Sequence, residues 1–419
     1  MDTEIKRDSY LRQLVNRMDN GLIKIVTGIR RCGKSYLLRT LFKRYLLERG
    51  IPEDHIIEMA FDLYDNKEFR DPEVFYPWAK EQLKDADKYY FLLDEVQLLE
   101  EFVSVLNGLA DKKNCDVFVT GSNAKFLSRD IATEFGGRGD EVRMYPLSFS
   151  EFMSVYNGHY YDGWNEYIIY GGIPIVVLAE TDEQKTALLD NLFKETYLRD
   201  IVIRNKVRNV GEMEKLLDVL SSAIGSLTNP NKLQKTFKSV NQSKITATTI
   251  TKYIDYLEDS FLIEEAKRYD IKGRSYIGTP VKYYFMDMGL RNARLNFRQI
   301  EVTHSMENVI YNELRKRGFK VDIGNLTIAQ KGKSGKIEKK QLEVDFICNK
   351  GSKRYYIQSA YTLENEEKMV QEIRPFTQIN DSFKKMVITS NTPKPFYNDD
   401  GILIMNVFDF LLKPDSLEL

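Results

Sequence analysis

The sequence predicts an α/β protein built on a parallel sheet, and three observations carry that expectation. An apolar run, residues 23–27 (IKIVT), leads directly into GIRRCGKS at 28–35 and then into a helical segment. A second short apolar run, residues 89–93 (YYFLL), ends in the acidic pair Asp94 and Glu95. Further strand-like runs at 55–62 (HIIEMAFD) and 116–120 (DVFVT) alternate with helical stretches, the pattern of a parallel sheet with helices on both faces. Ligands of such sheets sit at the carboxyl ends of the strands.

The GxxxxGKS spacing is that of a phosphate-binding loop. Gly28 and Gly33 permit the tight turn, so the main-chain N–H groups of Ile29, Arg30, Arg31 and Cys32 through Tyr36 can face one concavity at a helix N-terminus. Lys34 is expected to reach the β- and γ-phosphates of ATP, and Ser35 to ligate Mg²⁺. The acidic pair complements the loop. Asp94 suits the hydrated Mg²⁺ and Glu95 suits the attacking water, whereas without the loop the pair would read as a solvated turn. Ser122 and Asn123, just past the strand at 116–120, fall near the γ-phosphate or serve as cap and turn residues.

Composition limits the remaining classes. At 419 residues the chain is long enough for two to four domains. Lys and Arg total 61 against 62 Asp and Glu, so no global field recruits nucleic acid or membrane and any such binding must come from a local patch. Cys32, Cys115 and Cys348 lack metal-ligand spacing, as do the scattered His55, His159 and His304, which argues against structural zinc and a disulfide framework. The charged N-terminal segment lacks a signal core and no run has the apolar length of a membrane span, so a reducing cytoplasm is the simplest compartment.

Residues 8–18 read as an amphipathic helix with Leu11, Leu14, Val15 and Met18 on one face. Past residue 124, Arg138 stands between Gly137 and Gly139. It is either an arginine finger, for its own site or a neighbour's, or an ordinary solvated side chain. Residues 164–205 look helical around the turn at 171–174 and would form a lid over the nucleotide, with Arg199 a second candidate for sensing the γ-phosphate. Residues 243–263 place Ile250, Tyr253, Ile254 and Leu257 at helical spacing, as in the second helix of a helix-turn-helix. A basic hairpin follows. Together they suggest a winged helix whose Lys244, Lys252, Lys272 and Arg274 would meet DNA phosphates, although Asp255, Glu258 and Asp259 make the helix partly acidic.

The last segment, from about 296, reads as a separate α/β unit. Glu307 on a helix, with Asp345 and Gln358 on neighbouring strands, stands where a metal-dependent nuclease places its acidic ligands. The slot for an activating lysine holds Ala360 instead; Lys368 on the following helix could in principle substitute, but with the activating charge missing from its natural place cleavage is not expected.

In order, GIRRCGKS, FLLDEVQ, VTGSN, the GGR loop with PLSFSEF, YGGIP, YLRDI, KYYFMDMGL and EVDFI with IQSAY resemble a family of bacterial and archaeal P-loop ATPases of the AAA type. The resemblance implies a P-loop NTPase core at 1–160, a helical lid at 161–205, a winged helix at 206–295 and a restriction-endonuclease-like α/β domain at 296–419. It also implies ATP contacts at Gly28, Gly33, Lys34 and Ser35, metal and hydrolytic roles at Asp94 and Glu95, and a polar sensor at Ser122 or Asn123. The expected function is an ATP-driven switch that engages DNA or a protein partner, with self-association where a finger comes from a neighbour. A slow nucleotide-dependent scaffold and an ATP-gated nuclease are the competing classes.

Overall fold

A computed structural model describes residues 4–121, 135–240, 243–298, 300–331 and 337–419. The chain forms two compact units: residues up to Pro146 with Asp259–Phe261, and the remainder from Leu147.

The first unit is a five-stranded sheet of β1 (Ile23–Thr27), β2 (Ile56–Ala60), β3 (Tyr89–Asp94), β4 (Cys115–Thr120) and β5 (Gly139–Arg143), in the order β2-β3-β4-β1-β5. Every pairing is parallel. All residues of β1, β3 and β4 are buried, because helices cover both faces and leave no side for polar alternation. The helix Phe102–Ala110 shows how: Phe102, Val105, Leu106 and Leu109 recur at helical spacing and pack with Phe91, Leu93 and Val117. Helical pieces Lys34–Tyr36, Leu37–Phe42 and Lys43–Glu48 run on from the glycine-rich loop, the middle piece in the wider π geometry. The first helix spans Asp8–Val15, shorter than the periodicity suggests, and buries Tyr10 and Leu14.

The expected end of this unit at residue 160 lies too late. Phe149 packs on Trp164, Tyr167 and Phe408, so PLSFSEF is spent on the core of the second unit. That unit begins with helices, including Tyr160–Tyr170, Asp182–Asn191 and Arg199–Arg204, as expected for 164–205. Helices Val210–Ser222, Pro230–Val240 and Ala247–Asp259 follow, and the last buries Ile250, Tyr253, Ile254 and Leu257.

An eight-stranded mixed sheet completes the second unit. Its strands are β6 (Ile263–Asp270), β7 (Ser275–Phe285), β8 (Lys320–Lys331), β9 (Ile337–Lys350), β10 (Lys353–Ser359), β11 (Lys384–Thr389), β12 (Phe396–Tyr397) and β13 (Leu403–Asn406), in the order β12-β13-β11-β10-β9-β8-β6-β7. The sheet crosses residue 295, where a domain boundary was expected. Arg268, Tyr269 and Asp270 of β6 pair in parallel with Ile323, Gly324 and Asn325 of β8, so the basic hairpin is an extension of the C-terminal sheet.

Within this unit, YGGIP and FMDMG meet at one buried carboxylate. Asp287 accepts from the Gly172 amide at 2.7 Å and the Leu290 amide at 3.1 Å. A Cβ on Gly171 would lie 2.2 Å from Asp287 Oδ1, and one on Gly172 would lie 2.2 Å from the Leu147 carbonyl oxygen, so the glycine pair is set by close approach. Burial pushes the Asp287 carboxyl up to about 6, although these amides pull the other way. Asp287→Ala should therefore cost about 2–4 kcal/mol by stranding buried N–H groups, read as a lowered thermal midpoint; an unchanged midpoint would show that the carboxylate pins nothing.

Candidate functional site at the carboxyl edge of the parallel sheet

The glycine-rich loop turns through left-handed backbone at Gly28 (φ 139°), Arg31 (φ 64°) and Gly33 (φ 100°). Gly28 is held close: a Cβ there would sit 2.1 Å from the Met144 carbonyl oxygen. Lys34 is only 4% exposed and curls over its own loop, donating to the carbonyl oxygens of Gly28 at 2.9 Å and Ile29 at 3.1 Å. Ile29 and Cys32 are buried, Arg30 is half-buried, and Arg31, Ser35 and Tyr36 face outward.

Strand order brings the acidic pair to this loop. β3 ends in Asp94, β1 feeds the loop, and β4 runs between them and ends in Thr120. Thr120 therefore bridges the two. Its hydroxyl donates to Asp94 Oδ1 and accepts from the Glu95 amide at 3.0 Å. Ser35 Oγ donates to the same Asp94 oxygen at 3.0 Å. Burial raises the Asp94 carboxyl above its usual range against the pull of the Thr120 and Ser35 hydroxyls. Glu95 occupies left-handed backbone (φ 52°), which turns its side chain out of the strand direction, and the Gln97 amide donates to its carboxylate.

The arrangement fits a polyphosphate and a hard cation. Main-chain amides and a lysine suit the former, and adjacent hydroxyl and carboxylate oxygens suit Mg²⁺. Among the described residues no group of three or more His, Cys, Asp or Glu could hold a metal ion, so the protein offers Mg²⁺ only a partial set. That is the normal case for a cation shared with phosphates.

Not every expected residue gathers here. Ser122 and Asn123 lie outside the described residues. Arg138 stands at the start of β5: its carbonyl accepts from the Ile23 amide at 2.8 Å and its guanidinium meets Asp111 at 2.6 Å. Ile23 opens β1 and Gly28 follows its end, so Arg138 is a strand length of about 13–16 Å from the loop, at the opposite edge of the sheet. It cannot serve as a finger for its own loop. Arg199 is exposed on a helix of the second unit. Thr120 and Gln97 were not singled out from sequence; DEVQ and VTGSN contain them, but only the strand order explains Thr120.

A second constellation lies in the other unit. Asp345 accepts from the Ser359 amide at 2.9 Å, and its own amide approaches Gln358 Oε1 at 3.4 Å, so the neighbouring-strand placement holds. Ala360 is buried in an apolar cluster with Val344, Tyr356 and Phe376. Lys368 is exposed.

The family model described as an AAA domain matches residues 20–153, and a Domain of unknown function (DUF8612) matches 161–301. An uncharacterized protein of Haemophilus influenzae is 34% identical over 98% of this chain and 99% of its own length. An uncharacterized protein of Methanocaldococcus jannaschii is 27% identical over 97% of this chain and 88% of its own. Among solved structures, the Aeropyrum pernix ORC1 protein in complex with DNA aligns at 12% identity over 71% of this chain and 94% of that one, with a TM-score of 0.29. The S. cerevisiae Hsp104-ADP complex aligns at 12% identity over 76% of this chain and 42% of that one, with a TM-score of 0.31. No described helix is long and apolar enough to cross a membrane.

Thr120→Val should expose the Glu95 amide to faster hydrogen exchange while Thr120→Ser keeps it protected. Equal protection in both would mean the hydroxyl does not hold the strand end.

Proposed function

Because the chain belongs to one family with the Haemophilus influenzae protein and carries an AAA domain, we propose that it binds ATP at Gly28–Tyr36 and hydrolyses it with Mg²⁺ as a conformational switch. The observation that carries this reading is the junction of Ser35, Asp94, Thr120 and Glu95 beside the loop. The amides of Gly28 to Gly33 bind the phosphates, and Lys34 exchanges its two loop carbonyls for phosphate oxygens. Ser35 and Asp94 would hold Mg²⁺, whose charge would offset that developing on the transferred phosphoryl group. Glu95 orients the attacking water and accepts its proton, while Thr120 ties the Asp94 side chain to the Glu95 backbone. Ser122 or Asn123 would complete the site as a polar sensor. Arg138 would act only on a neighbour's nucleotide, which makes self-association part of this reading. A ligand switches a protein only by favouring one arrangement, and the γ-phosphate supplies that difference.

Lys34→Ala should abolish nucleotide retention and hydrolysis together. Glu95→Gln should retain ATP while hydrolysis falls at least about 100-fold, measured as steady-state phosphate release beside filter binding. Wild-type hydrolysis in both variants would remove the assigned site.

For the second unit, the reading is a winged helix grafted on an endonuclease-like sheet that recognises DNA without cutting it. Lys244, Lys252, Lys272 and Arg274 are all exposed, which supports binding to phosphates. The apolar packing of Ala360 supports the loss of cleavage. Double replacement of Lys272 and Arg274 by Ala should weaken DNA binding and flatten its salt dependence by about one unit of slope for each phosphate left unneutralised. An unaltered slope would favour a protein partner at this surface.

A further inference from the structure

A charge cluster in the second unit is left over by the nucleotide reading. Glu307 comes from the helix Val302–Lys316, Glu343 and Asp345 from β9, and Lys282 from β7. The Lys282 ammonium lies 2.9 Å from Glu307 Oε1, 2.9 Å from Glu343 Oε1 and 3.7 Å from Asp345 Oδ1. It is 4% exposed, and Glu307 and Asp345 are nearly as enclosed at 7% and 8%, whereas the Glu343 side chain is 35% exposed and reaches the cluster from its solvent side. The Tyr284 hydroxyl donates to the same Glu307 oxygen at 2.6 Å.

Carboxylates that converge from separate elements on one enclosed point are what a hard divalent cation requires. As they stand, these three carboxylates form no group able to hold a metal ion, and an ammonium occupies their meeting point instead. We propose that Lys282 is the resident cation of a divalent-metal type of site: its ammonium takes the position of Mg²⁺ or Mn²⁺, keeps the native centre free of metal, and staples β7 to the helix and β9.

Geometry and charge support this. Of the three N–H donors of the ammonium, two reach Glu307 and Glu343 at 2.9 Å, while Asp345 at 3.7 Å is an ion-pair neighbour beyond hydrogen-bond length. A divalent ion sharing the same oxygens would face the lysine charge at close range in a poorly solvated interior, so the two exclude each other. Gln358 is occupied elsewhere: it accepts from the Asp345 amide and donates to Glu372 at 3.2 Å. Burial opposes the Lys282 charge, but Glu307, Asp345 and Glu343 outweigh it and hold the ammonium above its usual range, so it stays charged. A lysine clamped in this way has no free base to activate water, which agrees with the apolar surroundings of Ala360.

Removing the ammonium leaves three carboxyl groups facing one another without a counter-charge. A divalent ion then becomes the natural replacement. The test is Mn²⁺ binding by electron paramagnetic resonance on the full chain without nucleotide, comparing wild type, Asp345→Asn, Lys282→Ala and the double variant. Wild type and Asp345→Asn should bind Mn²⁺ alike. Lys282→Ala should gain a Mn²⁺ held at least about tenfold more tightly than any in wild type, and the double variant should lose it. Lys282→Ala should also melt about 10 °C lower without metal and recover in MnCl₂. Where Lys282→Ala folds poorly, Lys282→Met keeps the apolar stem and MnCl₂ should restore its folded fraction. A wild-type Mn²⁺ that Asp345→Asn removes would overturn the proposal, as would Lys282 variants that gain no Mn²⁺ or are not rescued by it.

Discussion

The carboxyl group of Asp94 is the constraint around which the first unit is organised. It is buried at the end of β3, and two hydroxyls from different segments, Ser35 on the loop helix and Thr120 on β4, share one of its oxygens. A desolvated carboxylate with no cation beside it is costly, so the two hydroxyls offset only part of that cost. The same Thr120 oxygen accepts the Glu95 amide, so the residue proposed to hold the cation and the residue proposed to handle water are set by one side chain.

The strand order makes that sharing possible. With β4 between β1 and β3, the last residue of β4 lies between the loop and the acidic pair. This is also why the sequence singled out Asp94 and Glu95 as candidates but not Thr120. A loop followed by a helix is a local pattern, and a strand ending in two carboxylates is another; both can be read along the chain. Which strand lies beside which is a tertiary fact. Arg138 marks the same limit, since its flanking glycines suggest a mobile loop while its backbone starts β5 at the far edge.

The second unit shows the limit more strongly. Its helices and most strands were legible from periodicity, including Ile250, Tyr253, Ile254 and Leu257 on one helix face. The joining of the hairpin to the C-terminal sheet was not, because β6 meets β8 across some fifty residues of intervening chain. The acidic residues Glu307 and Asp345 were visible as candidates, whereas Lys282 lay in a run that reads only as a strand. Its charge acquires meaning when β7 brings it among them. YGGIP was legible as a turn, yet the reason for its two glycines is close approach, Gly171 to the distant Asp287 and Gly172 to the Leu147 carbonyl.

The account's central claim is that the loop at 28–35 grips a nucleoside triphosphate. Isothermal titration calorimetry of the folded 419-residue chain with ATP and Mg²⁺ tests it most directly. Saturable binding of one nucleotide per chain, tighter with Mg²⁺ than without, is the expected result. Absence of saturable binding to any purine triphosphate would contradict it.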